Sequence, residues 1–146
     1  MGAVVVGVDG SEGAGAALEF AVAEAALRQA PLRIVSAWEV PVAVYSGGGQ
    51  PPLDPGMLDA FRERAEHVAE EAVATAKRLQ PSLQVDARTV TGHAADALLG
   101  EAADADLIVV GRRGLGGFRS LLLGSVSQQV VHHATCPVVV VQQPAD

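Results

Sequence analysis

Gly111-Arg112-Arg113-Gly114-Leu115-Gly116-Gly117-Phe118-Arg119-Ser120-Leu121-Leu122-Leu123-Gly124-Ser125 lies between an apolar, strand-like segment and a helix-like one that begins at Val126. Glycines let the backbone turn through positive φ and come close to a ligand. A helix that follows points unpaired N–H groups and the positive end of its dipole at an anion. Phosphate is the anion such a loop suits. The charge pattern agrees: the chain carries 17 acidic against 10 basic residues, a net charge of −7. After Asp106, however, no Asp or Glu occurs until Asp146, and Arg112, Arg113 and Arg119 fall within that gap. An acidic protein has left this loop locally positive, while its overall charge argues against nucleic acid as a partner.

At 146 residues the chain is expected to form one domain over residues 1–146, able to bury about two-thirds of its unfolded surface without disulfides or metal. Cys136 is the one cysteine, so no internal bridge forms. Met1-Gly2-Ala3-Val4-Val5-Val6 lacks the basic segment and long apolar core of a signal peptide, which makes a cytoplasmic location the expectation. No apolar run approaches the ~20 residues that span a bilayer, so no membrane association is expected.

Working outward, strands and helices alternate. Ala3 to Val8 is a valine-rich run of the kind buried on both faces of a parallel sheet. Asp9-Gly10-Ser11 breaks it, and Ser11 to Gln29 reads as an alanine-rich helix closed by Pro31. Leu32 to Trp38 is a second strand, and Pro41 to Gly56 is a loop rich in proline and glycine. Leu58, Phe61, Ala65, Val68, Ala72, Ala76 and Leu79 recur at helical spacing and predict an amphipathic helix packed on the sheet. Strands follow at Leu83 to Val90, Leu107 to Val110 and Pro137 to Val141, with helices through Leu98-Leu99 and from Val126 to His133.

This alternation implies right-handed βαβ crossovers: an α/β fold with a single five-stranded parallel sheet and helices on both faces, Rossmann-like. Ligands of such sheets bind beyond the carboxyl ends of the strands, where strand order reverses. Asp9 and Gly111 both sit at strand ends and so can line one crevice. The two common phosphate loops are excluded. A dinucleotide fingerprint needs GxGxxG after the first strand, and Val8-Asp9-Gly10-Ser11-Glu12-Gly13 has the wrong spacing. In the later loop the third glycine of that pattern would fall at Arg119. A Walker A loop needs a lysine, and none lies in the region.

What remains is Gly111, two residues, Gly114, nine residues, then Gly124-Ser125 entering a helix. This pattern resembles the universal stress protein family in its ATP-binding branch. Val6-Gly7-Val8-Asp9-Gly10-Ser11 and Cys136-Pro137-Val138-Val139-Val140-Val141 fit the family too, so the likeness covers essentially the whole chain. The resemblance implies an adenine nucleotide alpha hydrolase-like fold and ATP, with Mg2+ or Mn2+, as the ligand. Asp9 matches the acidic residue that meets the nucleoside or its metal, and Ala37 a residue whose backbone holds adenine. Val110 leads into the loop. Gly111, Gly114, Gly124, Ser125 and Val126 match ribose and phosphate contacts. From the charge of the loop itself, Arg112 or Arg113 is a candidate phosphate clamp. The family often carries proline two residues after the glycine of the third strand's turn, whereas Gly92-His93 is followed by Ala94.

Other constellations are less telling. His132, His133 and Cys136 raise the question of a metal site, but adjacent helical histidines point about 100° apart and no second cluster supplies ligands. His93 is a candidate for a phosphate contact or a capping role, and Trp38 for a wall against adenine. A response-regulator domain needs clustered acids and a lysine on its last strand, and a related ATP pyrophosphatase needs SGGxDS after the first; neither is present. Phosphoryl transfer requires a positioned nucleophile, a metal held by acids and a charge clamp. Asp9 is the sole acid in place and no general base accompanies it, so no catalytic residue is assigned. The expectation is an ATP-holding, stress-responsive switch, with slow hydrolysis as the alternative. The last strand, Val138 to Val141, is a hydrophobic edge, and the resemblance implies a homodimer through it.

Overall fold

The computed structural model describes residues 2–39, 55–112 and 123–142. In chain order the elements are β1 (Val4–Gly7), α1 (Glu12–Arg28), β2 (Leu32–Trp38), α2 (Pro55–Leu79), β3 (Val85–Thr91), α3 (Ala94–Glu101), β4 (Leu107–Gly111), α4 (Ser125–His133) and β5 (Val138–Val141). The five strands form one parallel sheet in the order β3-β2-β1-β4-β5. Val4 pairs with Leu32 on one side and with Leu107 on the other, which puts β1 at the centre.

Period-two alternation divides β1 between two cores. Val4 and Val6 face Leu18 and Val22 of α1 and Ala72 and Ala76 of α2, whereas Val5 faces the layer holding Leu98 of α3 and Val130 of α4. All three valines are fully buried, as a strand covered by helices on both faces requires. At roughly 1.5 to 3 kcal/mol per buried valine side chain, this triplet contributes strongly to the core.

Alanine spacing sets how closely the helices approach. Ala14, Ala17, Ala21 and Ala25 form the buried face of α1, and Ala65, Ala69, Ala72 and Ala76 that of α2. Ser11 caps α1, its Oγ accepting from the Ala14 N–H at 3.2 Å. At the other end Gln29 adopts a left-handed conformation, φ 55°, and donates its N–H to the Ala26 carbonyl.

Several boundaries move from their sequence-based places. Pro55 starts α2, the position where proline's missing N–H costs nothing, so Gly56 belongs to the helix and not to the preceding loop. The rest of that loop, residues 41–54, lies outside the described residues. Leu79, expected on the buried face of α2, is 46% exposed because the helix ends there and Ala76 is its last buried position. β3 begins at Val85, because a turn from Gln80 to Leu83 precedes it. α4 begins at Ser125, one residue early, with Gly124 as its cap.

Candidate functional site

The chain winds from β1 outward to β3 and then returns to β4 on the other side of β1, so the connections leaving β1 and β4 diverge. Beyond those two strand ends lies a cleft with about 810 Å³ of empty volume, open to solvent. Its floor is apolar, formed by Val8, Val35, Ala37, Leu98 and Val110, and Asp9, Ser11, Gly111 and the first turn of α4 supply its polar groups.

On the β1 side the turn is built around Asp9. Its Oδ1 accepts the Ser11 N–H at 2.9 Å, and Gly10 takes φ +86°, a conformation that glycine adopts without strain. On the β4 side Gly111 passes directly over α1. A Cβ there would fall 2.8 Å from the Gly13 carbonyl oxygen, so the close approach of β4 to α1 depends on glycine.

The start of α4 differs from that of α1. Gly124 is the cap, with extended backbone and no side chain to accept from the first turn, and no acidic residue occupies that turn. Helix geometry leaves the first-turn N–H groups without intrahelical acceptors, and Ser125 and Val126 both line the cleft. The loop ends are tied together beneath them. The Gly124 N–H donates to the Arg112 carbonyl at 2.8 Å, and the buried Ser127 hydroxyl shares its one proton between the carbonyls of Arg112, at 2.8 Å, and Gly124, at 3.1 Å. The Arg112 N–H donates to the carbonyl of Val141, linking the loop to β5.

Of the residues singled out in the sequence, Asp9, Ala37, Val110, Gly111, Gly124, Ser125 and Val126 line this one cleft. Arg113 and Gly114 lie outside the described residues. Val35, Ala94, Leu98 and Ser127 line the cleft as well and were not anticipated. Val35 was readable, since it shares a strand face with Ala37.

The same alternation removes Trp38 from the site. It stands on the face of β2 that carries Ile34 and Ser36, opposite Ala37, and is not part of the cleft lining. His93 occupies the cap position of α3 but makes no side-chain cap bond, and its Nδ1 lies 3.3 Å from Glu39 Oε1. His132 and His133 are exposed, their rings 6.4 Å apart. Among the described residues no group of three metal-ligating side chains occurs. Burial, and secondarily the charge of Asp106, pushes the Cys136 thiol above its ordinary pKa. Among the described residues no helix is long and apolar enough to cross a membrane.

Comparison with known proteins gives one consistent result. The model of the universal stress protein family matches residues 1–142. A universal stress protein of Thermus aquaticus is 41% identical over 141 residues, covering 95% of this chain and 97% of the relative. One of Mycobacterium tuberculosis is 35% identical over 143 residues, which is 94% of this chain and 46% of the longer relative. Among solved structures, a universal stress protein from Archaeoglobus fulgidus in complex with dAMP superposes with a TM-score of 0.69 at 26% identity, covering 96% of this chain and 97% of that one. A universal stress protein in complex with cAMP gives 0.71 at 29% identity, covering 96% of each chain.

Proposed function

The chain belongs to the universal stress protein family, and from that premise we propose that it binds ATP in the cleft between the ends of β1 and β4. The observation that carries this reading is the glycine-capped, acid-free start of α4, which opens its first-turn N–H groups to the cleft. The relatives whose complexes hold dAMP and cAMP support an adenine nucleotide as the ligand class.

The two ends of the cleft differ as the two ends of ATP do. Val35, Ala37 and Leu98 offer an apolar slot suited to a flat purine, and Gly111, Gly124 and Ser125 offer close backbone approach, N–H donors and a hydroxyl suited to phosphates. Arg112 or Arg113 would add charge beside them, and by the resemblance Gly114 would add a backbone donor. Asp9 is the one carboxylate among the described lining residues. It suits a ribose hydroxyl or Mg2+ or Mn2+ arriving on the nucleotide, because Mg2+ commonly takes one or two protein carboxylates with the rest of its shell from phosphates and water. Such an ion would neutralise phosphate charge.

Among those lining residues no histidine or lysine stands beside Asp9, and Asp9 itself accepts the Ser11 N–H. Nothing in this set deprotonates an attacking water, so holding ATP is favoured over turning it over. We read the protein as a cytoplasmic, nucleotide-dependent stress-response switch that acts as a homodimer through β5, Val138 to Val141. Mass spectrometry of small molecules released from the untagged, freshly purified protein tests the central claim. Adenine nucleotide is the expected result. A protein that comes away empty and ignores millimolar ATP in calorimetry would refute it.

A further inference from the structure

We propose that Ser127 is a positioning residue for the phosphates: its buried hydroxyl clasps the two ends of the glycine loop while leaving the N–H donors of α4 available. The inference rests on the nucleotide reading of the cleft.

Two helix starts in the same cleft show what the hydroxyl does. On α1 the cap is an ordinary one, with Ser11 Oγ accepting the Ala14 N–H, and Glu12 adds an acid to the first turn. That helix start uses a backbone donor on its own cap and presents negative charge, so it makes a poor seat for an anion. On α4 the cap is Gly124, which has no side chain to accept from the first turn, and no acid follows. A helix start without a cap is ordinarily held less firmly.

Ser127 holds it from the opposite direction. Placed three residues into the helix, its Oγ shares one O–H proton between two carbonyls, the shorter contact at 2.8 Å to Arg112 and the longer at 3.1 Å to Gly124, and no N–H is donated to it. Those carbonyls belong to residues on either side of the segment 113–123. The Gly124 N–H adds a second tie to the same Arg112 carbonyl. Ser127 is only 2% exposed, so water does not compete for its hydroxyl. The clasp therefore fixes the distance and direction between Gly111, which leads into the loop, and the N–H groups of Ser125 and Val126. Fixing donors before the ligand arrives lowers the ordering cost of binding.

Ser127→Ala is expected to fold, because the Arg112 carbonyl keeps its bond from the Gly124 N–H and no buried acceptor is orphaned. Calorimetric titrations of ATP and adenosine separate a positioning role from a merely structural one, since adenosine lacks the phosphates. The variant should bind ATP about tenfold more weakly while its adenosine affinity stays at the wild-type value. Ser127→Thr, which keeps the hydroxyl, should recover most of the ATP affinity. Unchanged ATP affinity in Ser127→Ala, or ATP and adenosine weakened alike, overturns the proposal. A wild-type protein that binds neither ligand overturns the nucleotide reading itself, and this inference with it.

Discussion

Gly111 at the end of β4 lies against the backbone of Gly13 in α1, so closely that a methyl group at 111 would come within 2.8 Å of the Gly13 oxygen and 2.9 Å of its carbonyl carbon. Both contacts are backbone, which cannot swing aside as a side chain does. Gly111→Ala is therefore expected to push β4 and α1 apart, lowering stability by about 1–3 kcal/mol and weakening ATP binding with it. Urea unfolding and calorimetry would read both effects. A variant with the wild-type unfolding midpoint would show that the crossing yields.

Acid placed at the start of α4 separates stability from affinity. Ser125→Asp puts a negative charge against the positive end of the helix dipole, worth about 0.3–1 kcal/mol of added stability. The same charge would stand where the proposed phosphates sit, and ATP affinity should fall by more than about tenfold. Thermal unfolding should shift upward while the titration weakens. If affinity is retained, the phosphates lie elsewhere.

Among the described residues β5 is bonded to β4 alone, and its four valines are each only partly buried. In the proposed dimer a two-fold axis pairs this strand antiparallel with its copy. Val140→Lys would set a charge in that contact, and sedimentation velocity should show monomers in place of dimers. Persistence of the dimer would move the interface to another surface.

The Cys136 thiol gives a pH-dependent readout. Burial first, and Asp106 second, hold its pKa above the ordinary thiol value, so the folded protein keeps this proton more tightly than the unfolded chain does. The stability it contributes is full below the ordinary thiol pKa and is lost as pH rises through the raised value. Iodoacetamide at about pH 8 should alkylate the native protein more slowly than it does free cysteine. Asp106→Asn should quicken the reaction only modestly, since burial, the larger cause, remains. Alkylation at the rate of a free thiol would contradict the assignment.

Much of this architecture was legible from residue pattern because valine runs and alanine spacing report burial directly. Val4 to Val6 announced a strand buried on both faces, and the long gap between Asp9 and Gly111 closed as a switch point in a parallel sheet predicts. Trp38 misled only when treated as an aromatic near the site. The alternation that turns Ala37 into the cleft turns its neighbour away. Leu79 misled because helical periodicity does not say where a helix outruns its cover. Ser127 was invisible for a different reason: a serine inside a helix reads as a weak helix former, and its value lies in carbonyls brought near it only by folding. Gly114, read from the family's spacing, and Arg113, read from the charge of the loop, fall outside the described residues.

The central position of β1 has a consequence for how the molecule is made. Val4 meets Leu32 early in synthesis but meets Leu107 only after most of the chain has left the ribosome. Until then one edge of β1 stays open, and non-local pairing of this kind is slow and exposed to aggregation. The cleft needs both strands and α4 beyond them, so it is completed late, with only β5 still to follow. A nucleotide that binds there can stabilise completed molecules but cannot rescue a nascent one. Chains truncated before β4 should therefore depend on chaperones whatever the ATP concentration.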